Sequence, residues 1–361
     1  MNAPTNPPPR GERTGERILV LRYRFLGDTL LTVPFLRNLR RAKPDARIVW
    51  VVAPGSSDVI QGIPYVDELL PWDPATSHAE SRGTHRTWRA KLRFIRDLRR
   101  QRFDRAYVLK RSLSSAIIAF LSGARHRIGF ATEGRGFLLT KTVPYRHDQH
   151  EVQNFLDVLR ADGVPVLDDH LEAWVSDDER RFADTFLAQH GVAPTQALIA
   201  LHPFATNRPR AWHEDNFVAL ANRLQSEQRA RIIVLGGPGD KDDAEYLRQR
   251  IVPEPIIAVG ATTLRQTMAL LERCALLVSN DSGVMHLGAA MRRPLVALFG
   301  PQSPVKFGPW GTQSAVVYKH FACSPCRQKF FHECTPSARG KPQCMETISV
   351  PDVIAAIDER R

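Results

Sequence analysis

The chain has 361 residues, of which 43% are hydrophobic, and a formal net charge of +12. This length exceeds one typical domain and allows two sizeable cores, which predicts a two-lobed α/β protein. No run approaches the roughly 18 to 20 apolar residues of a membrane span, and residues 1–16 lack the hydrophobic core of a signal peptide. We therefore expect a cytoplasmic protein whose residues 1–16 form a disordered tail.

Repeated β-loop-α units are predicted over the first half of the chain. The apolar run at 17–22 ends in a turn at Gly27-Asp28, and leucines in helical order follow until Lys43-Pro44. Further strands are predicted at 47–53 and 105–109. Such units fold into a parallel, doubly wound sheet, so residues 17–165 are predicted to form one Rossmann-like domain.

Residues 82–111 carry twelve Lys or Arg against two acidic residues. Apolar residues recur among them at helical spacing: Trp88, Leu92 and Ile95, with Phe94 and Leu98 alongside. This pattern predicts a basic amphipathic helix that rests on an anionic membrane or binds phosphorylated ligands. The alternative is a packed helix with a solvated basic face. Nucleic acid is not an expected partner, because no helix-turn-helix, zinc-finger or aromatic RNA-binding signature occurs.

A second α/β series is predicted after an interdomain connection at 166–195. Its strands are expected at 198–202, 231–235, 256–259, 276–278 and 295–299. They define a second Rossmann-like domain at 196–348, followed by a helix within 349–361. The carboxyl edges of the two sheets are expected to face a central cleft, where ligands of such sheets bind.

The stretch 276–299 is the most informative part of the sequence. An apolar strand there meets the polar turn 279–283 and then a helix. The helix start supplies backbone N–H groups and the positive end of the helix dipole. This is where an α/β protein holds a diphosphate.

Four of the five cysteines lie late in the chain, at Cys323, Cys326, Cys334 and Cys344. The Cys-x-x-Cys pair suggests zinc, whereas the following gaps of seven and nine residues form no second close pair. Both a structural metal and reduced loop cysteines remain open. Cys274 is predicted to be a core residue.

The glycine clusters match no named nucleotide fingerprint, since 236–239 lacks G-x-G-x-x-G spacing and no P-loop occurs. NAD enzymes and P-loop ATPases are therefore disfavoured. Five motifs in order instead resemble family 9 glycosyltransferases, the heptosyltransferases of bacterial lipopolysaccharide synthesis. They are Arg22 with 26–34, 202–203 through 210–212, 236–238, 281–283 with 286–287, and 299–301.

The resemblance implies a GT-B fold with two Rossmann-like domains facing a cleft. It places the acceptor on the N-terminal domain and the nucleotide sugar on the C-terminal one, with the final helix packing back on the first domain. The implied reaction is inverting transfer of heptose from ADP-heptose to the Kdo or heptose of the inner core. No cofactor beyond the donor substrate is expected.

Asp28 is the candidate catalytic base. It follows a strand and Gly27, with an apolar helix behind it, so its carboxylate should point into the cleft. The resemblance gives the matching family residue that role. The alternative is that Asp28 only caps a helix that begins at Thr29.

Donor phosphates are expected to contact Arg210, Thr206 and the N–H groups of Ser282 and Gly283. Arg210 stands where many relatives carry lysine, which keeps the charge but changes the geometry. With these groups, no metal is needed. The alternatives are an exposed loop arginine at 210 and a solvated hydroxyl at 206.

Four further residues complete the predicted donor site. Asp281 is expected to contact heptose hydroxyls or to order the turn. His286 donates to a phosphate or simply packs. Gly236 and Gly237 let the backbone approach the nucleotide, or else only form a turn.

The acceptor side is assigned to Arg22, Arg24, Lys110 and Arg111. A phosphorylated lipid A-Kdo acceptor at the inner leaflet explains the charge of this lobe and predicts a peripheral membrane protein. Residues 105–109 and 112–116 resemble the second heptosyltransferase more than the first, although Lys110-Arg111 departs from that pattern.

Two other functions fit parts of this pattern. A GT-B-like sugar-nucleotide epimerase shares the two domains but needs no lipid acceptor. A non-catalytic nucleotide-sugar or lipid A binding protein would not need Asp28, Arg210 and Asp281 together.

Overall fold

A computed structural model describes residues 15–74, 83–193, 195–326, 334 and 336–359. The chain divides into two units, Met1–Asp169 and His170–Arg361, and the division lies inside the connection predicted at 166–195. The predicted tail at 1–16 lies outside the described residues except for Gly15 and Glu16. Glu16 is ordered by ion pairs with Lys43 and Arg105.

The first unit is a six-stranded parallel sheet with the strand order β3-β2-β1-β4-β5-β6. Its strands are β1 Arg17–Leu21, β2 Arg47–Val52, β3 Glu68–Pro71, β4 Arg105–Val108, β5 His126–Phe130 and β6 Lys141–Val143. Its helices are α1 Leu26–Ala42, α2 Pro54–Ser57, α3 Trp88–Arg100, α4 Leu113–Leu121 and α5 Glu151–Ala161.

The second unit repeats this sheet with the order β12-β11-β10-β7-β8-β9, again all parallel. Its strands are β7 Leu198–His202, β8 Arg231–Val234, β9 Ile256–Ile257, β10 Leu276–Asn280, β11 Leu295–Phe299 and β12 Ser314–Tyr318. Its helices are α6 Asp177–Gln189, α7 Glu214–Gln228, α8 Lys241–Arg250, α9 Leu264–Arg273, α10 Gly283–Ala290, α11 Pro304–Phe307, α12 Gln343–Glu346 and α13 Val350–Asp358.

Counted within each unit, both sheets have the strand order 3-2-1-4-5-6 of a doubly wound fold. The order reverses between β1 and β4 in the first unit and between β7 and β10 in the second. Loops that leave the carboxyl ends of these strands diverge, which opens a crevice at that edge of each sheet. The prediction of two doubly wound α/β domains is confirmed.

Most of the predicted connection belongs to the second unit. Helix α6 lies on α9 and is joined to it by ion pairs: Arg180 with Glu272 at 2.9 Å and Arg273 with Asp184 at 2.6 Å. These charged pairs are hydrogen-bonded as well, which holds the two helices in one arrangement. Residues 177–189 are therefore part of the second domain rather than a linker.

The terminal helix α13 also packs within the second unit. Val353 and Ile357 are fully buried in its core, and Trp212 donates its indole N–H to the Ile348 carbonyl just before the helix at 2.8 Å. The buried side of α13 lies on β11, β12 and α7 of its own domain. Contact of this helix with the first domain stays a prediction.

The predicted basic amphipathic helix is α3. Leu98 is buried, and Phe94 and Ile95 pack against the core of the first unit, whereas Trp88 and Leu92 are exposed. One side of the helix therefore packs as an ordinary core helix does. The other side presents apolar and basic residues to solvent.

Candidate active site

The loop between β1 and α1 positions the candidate base. Arg24 and Phe25 both have positive φ angles, 93° and 54°, which non-glycine residues rarely adopt. Such strained backbone is concentrated at functional sites. Phe25 is the N-cap of α1, and its side chain makes no cap hydrogen bond. Asp28 therefore lies in the first turn of the helix, and the interpretation of Asp28 as the cap is wrong.

The Asp28 carboxylate contacts the Arg22 guanidinium at 2.5 Å, and only 14% of its side chain is exposed. Burial raises the pKa of Asp28; Arg22 opposes the rise, and the nearby Glu151 adds to it. Arg22 is held in turn by Phe155, whose ring centroid lies 5.3 Å from the guanidinium carbon. The result is a carboxylate that is held in place and is more basic than a free aspartate.

Lys110 and Arg111 follow the neighbouring strand β4. Lys110 Nζ lies 4.0 Å from the centroid of the Tyr23 ring, and Arg111 lies 4.0 Å from that of Tyr145. Burial lowers the pKa of Lys110 to about 7, helped by the positive charges of Arg24 and Arg22. The structure thus places Arg22, Lys110 and Arg111 close to Asp28, and Arg24 close to Lys110.

Glu151 and Tyr145 belong to this cluster and were not predicted from the sequence. Glu151 is the buried first residue of α5, and it accepts a hydrogen bond from the Tyr145 hydroxyl at 2.5 Å. Arg135 is also fully buried and donates to the Lys110 carbonyl at 3.0 Å. No motif marks these residues: Arg135 lies between β5 and β6, whereas Tyr145 and Glu151 reach the cluster through the return of the chain after β6.

In the second unit, the turn after β10 has the predicted form. Ser282 is the N-cap of α10, and its hydroxyl accepts a hydrogen bond from the Met285 N–H at 3.4 Å. The same hydroxyl lies 3.2 Å from His202 Nδ1 at the end of β7. Burial lowers the pKa of His202 to about 4, so its imidazole is neutral at pH 7. The first N–H groups of α10 therefore lie at the switch point of the sheet.

Asp281 and Arg210 form the charged pair of this second site. Arg210 Nη1 lies 3.4 Å from Asp281 Oδ2, and the Asp281 N–H donates to the Leu298 carbonyl at 3.1 Å. Burial raises the pKa of Asp281 to about 6 against the opposing charge of Arg210. The pair joins the loop after β7 to the turn after β10.

The remaining predicted donor residues are Thr206, His286, Gly236 and Gly237. Thr206 is exposed in the loop after β7, and His286 is buried one turn into α10. A Cβ at Gly236 would lie 2.7 Å from the Phe204 ring, and the Gly237 N–H donates to Asp240 at 2.8 Å. Packing against Phe204 is therefore enough to explain why residue 236 has no side chain. A role of these four residues in donor binding stays a prediction.

Cys274 and Cys344 are buried, Cys326 and Cys334 are partly exposed, and Cys323 is exposed. In the part of the chain that the structure describes, no three His, Cys, Asp or Glu side chains are grouped as metal ligands would be. The expectation that the reaction needs no metal stays a prediction.

Comparison with known proteins identifies the family of the chain. A family model described as glycosyltransferase family 9 (heptosyltransferase) matches residues 91–333. The lipopolysaccharide heptosyltransferase 2 of Escherichia coli strain K12 is 28% identical over 318 residues, which cover 83% of this chain and 87% of that protein.

Two solved structures share the fold. The glycosyl transferase family 9 protein of Veillonella parvula superposes with a TM-score of 0.84 at 26% identity and covers 95% of this chain, which in turn covers 96% of it. The E. coli ADP-heptose lps heptosyltransferase II gives 0.73 at 24% identity, with coverages of 95% and 98%. The predicted GT-B fold is confirmed, and the chain belongs to glycosyltransferase family 9, the heptosyltransferases.

Proposed function

We propose that this glycosyltransferase moves heptose from ADP-heptose to the inner core of lipopolysaccharide, with inversion at the anomeric carbon and without a metal. The observation that carries the proposal is the buried Asp28 carboxylate, which interacts with Arg22, Arg111 and Lys110 at the carboxyl edge of the first sheet. The similar E. coli proteins, one a lipopolysaccharide heptosyltransferase and one an ADP-heptose enzyme, support this donor and acceptor.

Asp28 acts as the general base. It takes the proton of an acceptor hydroxyl while the hydroxyl oxygen bonds to the anomeric carbon and the bond to the diphosphate breaks. The electron pair of that bond leaves with ADP, and attack from the opposite face inverts the configuration. A base is most effective when its pKa lies near the working pH, and burial moves the pKa of Asp28 in that direction.

The departing diphosphate is stabilised in the second unit. Arg210 offers a planar pair of donors, and the N-terminal turn of α10 offers backbone N–H groups with the positive end of its dipole. Thr206, exposed in the same loop, adds a hydroxyl. Asp281, whose pKa of about 6 keeps it largely ionised at pH 7, accepts hydrogen bonds from sugar hydroxyls.

The cations around Asp28 bind the acidic acceptor. Lys110, with a pKa of about 7, gains a full positive charge when an anion lies beside it, and Arg22, Arg24 and Arg111 supply guanidinium N–H donors. Kdo carries a carboxylate that suits these groups. The acceptor sugar is therefore Kdo or a heptose next to Kdo and phosphate.

The enzyme works at the inner leaflet of the cytoplasmic membrane. Among the described residues, none of the helices combines the length and apolar character that a membrane crossing requires. Helix α3 exposes Trp88 and Leu92 among six Lys or Arg and one Asp, which suits attachment to an anionic surface. Binding to vesicles with phosphatidylglycerol should weaken as salt rises, and binding that salt does not change would contradict this role.

A transfer assay with EDTA tests the function. ADP-heptose, UDP-glucose and UDP-N-acetylglucosamine are offered with Kdo-lipid A that either lacks or carries one heptose. We expect turnover of ADP-heptose alone, on one acceptor, and unchanged rates with EDTA. Turnover of another donor, or loss of activity with EDTA, would overturn the corresponding part of the proposal.

A further inference from the structure

The first unit encloses a cavity of about 460 Å³ between α3, α4 and the loop after β1. This volume lies within the range of pockets that hold small ligands, roughly 300 to 1,000 Å³. The side chains that define it are mainly apolar. They include Tyr23, Trp72, Leu92, Ile95, Ile117 and Leu121. We call it the apolar pocket.

The mouth of the apolar pocket is open to solvent. Leu92 on α3 is 57% exposed and Ile117 on α4 is 40% exposed, and both line the pocket. Trp88 lies one turn before Leu92, and Phe120 lies one turn after Ile117; both are exposed. A contiguous exposed apolar surface of this kind marks an interaction site in a water-facing protein.

Cations connect the apolar pocket to the Asp28 cluster. Lys110 lines the pocket and also belongs to that cluster, and Arg24 and Lys91 line the pocket as well. Among the described residues that line the pocket, Asp73 is the one acid. A ligand with an acidic head beside Asp28 and an apolar chain attached to it therefore matches both regions at once.

We propose that the apolar pocket holds one acyl chain of the lipid acceptor. This inference rests on the proposed function, because it names where the acyl part of that acceptor lies. A sugar or nucleotide does not suit the pocket, since its walls offer few hydrogen-bonding groups. The cationic wall suits an anionic amphiphile and disfavours a neutral one.

The test compares the acylated acceptor with its fully deacylated form in detergent solution. Ile117→Trp fills the pocket from a half-exposed position, and Leu113→Trp is the matched control, since Leu113 is 41% exposed on the same helix but does not line the pocket. We expect Ile117→Trp to raise the KM for the acylated acceptor about tenfold, the size of losing contact with a few methylenes. The KM for the deacylated acceptor and for ADP-heptose should not change, and Leu113→Trp should change none of them.

An equal effect of Ile117→Trp on both acceptors, or no effect on either, would overturn the inference. Leu92→Trp provides a second variant, and its turnover of deacylated acceptor shows that the fold is intact. If neither acceptor is turned over by the unchanged protein, the proposed function fails. A direct binding measurement then tests whether the pocket holds an acyl chain.

That measurement uses the fluorescence of Trp72, which lines the pocket and is buried. Kdo-lipid A with brominated acyl chains should quench the unchanged protein more than the Trp72→Phe variant. Equal quenching of the two proteins would overturn the inference. So would equal quenching of the unchanged protein by acceptor-free vesicles of brominated phosphatidylglycerol, which would assign the pocket to bulk membrane lipid.

Discussion

Both units place an arginine–aspartate pair at the switch point of the same sheet topology, but they build it differently. In the first unit, Arg22 and Asp28 both come from the segment after β1. In the second, Arg210 follows β7 and Asp281 follows β10. The strand order therefore determines where a site lies, whereas the loops determine which strand supplies each charge.

The neighbours of the two carboxylates differ more than the carboxylates themselves. The pKa of Asp28 reflects burial, which is opposed by Arg22 and Arg111 and reinforced by the acidic Glu151. The pKa of Asp281 reflects burial, opposed by Arg210. The first arrangement suits a base that must gain and lose a proton beside an acidic acceptor. The second suits a fixed charge near a diphosphate, where the turn of α10 provides the other donors.

Asp28→Asn tests this division most severely. The amide cannot take a proton, so we expect kcat to fall about 10²- to 10⁴-fold, the range of general base catalysis, while the KM for ADP-heptose stays the same. Asp281→Asn should show the opposite pattern, a raised KM with a smaller loss of kcat. Steady-state kinetics with ADP-heptose measures both. An active Asp28→Asn enzyme would remove Asp28 from the mechanism.

Arg210→Ala tests the donor side. A charged hydrogen bond to phosphate contributes about 1.5–3 kcal/mol, so the KM for ADP-heptose should rise about 10- to 100-fold. Arg208→Ala is the matched control: Arg208 lies on the same turn, 83% of its side chain is exposed, and it pairs with Asp243 at 3.2 Å. ADP binding by calorimetry checks the result. Equal losses in the two variants would show that Arg210 has no specific role.

The comparison also shows which features the sequence reveals. Strands β7 and β11 begin and end as predicted, because each is a continuous buried apolar run. Strand β3 was missed, since it is short and half exposed at the sheet edge. Asp28, Arg210 and Asp281 lie beside strands that a pattern can place. Glu151 comes from a helix whose start near Asp28 depends on how α5 packs on α1, and that contact leaves no local signal.

The raised pKa of Asp281 predicts a pH-dependent cost to stability. The folded state binds this proton with a pKa of about 6, above the ordinary 3.8, so stability falls as pH rises from about 4 to 6 and is then level. The loss is about 3 kcal/mol at most, because the shift is about two pH units. Asp281→Asn should therefore unfold a few degrees higher than the unchanged protein at pH 7.5.

At about pH 3 the two proteins should unfold at nearly the same temperature, since Asp281 is then mostly protonated in both the folded and the unfolded state. Thermal unfolding followed by circular dichroism at a series of pH values measures this difference. A gap between the two proteins that does not change with pH would contradict the assignment of the cost to ionisation.

Glu151→Gln tests the feature that separates the two sites. The Glu151 charge raises the pKa of Asp28, so the neutral amide should lower that pKa while still accepting the Tyr145 hydrogen bond. Transfer requires ionised Asp28, and activity is lost as pH falls through its pKa. The acidic limb of the kcat profile should therefore move to lower pH, with a lower plateau because the base is weaker.

Glu133→Gln is the control, since Glu133 acts on Lys110 and Arg135 rather than on Asp28. An acidic limb that stays in place in Glu151→Gln, or one that moves equally in both variants, would mean that the carboxylate beside Asp28 has no part in setting its basicity. The pKa values of Asp28 and Asp281 would then be set by burial and by the neighbouring arginines alone.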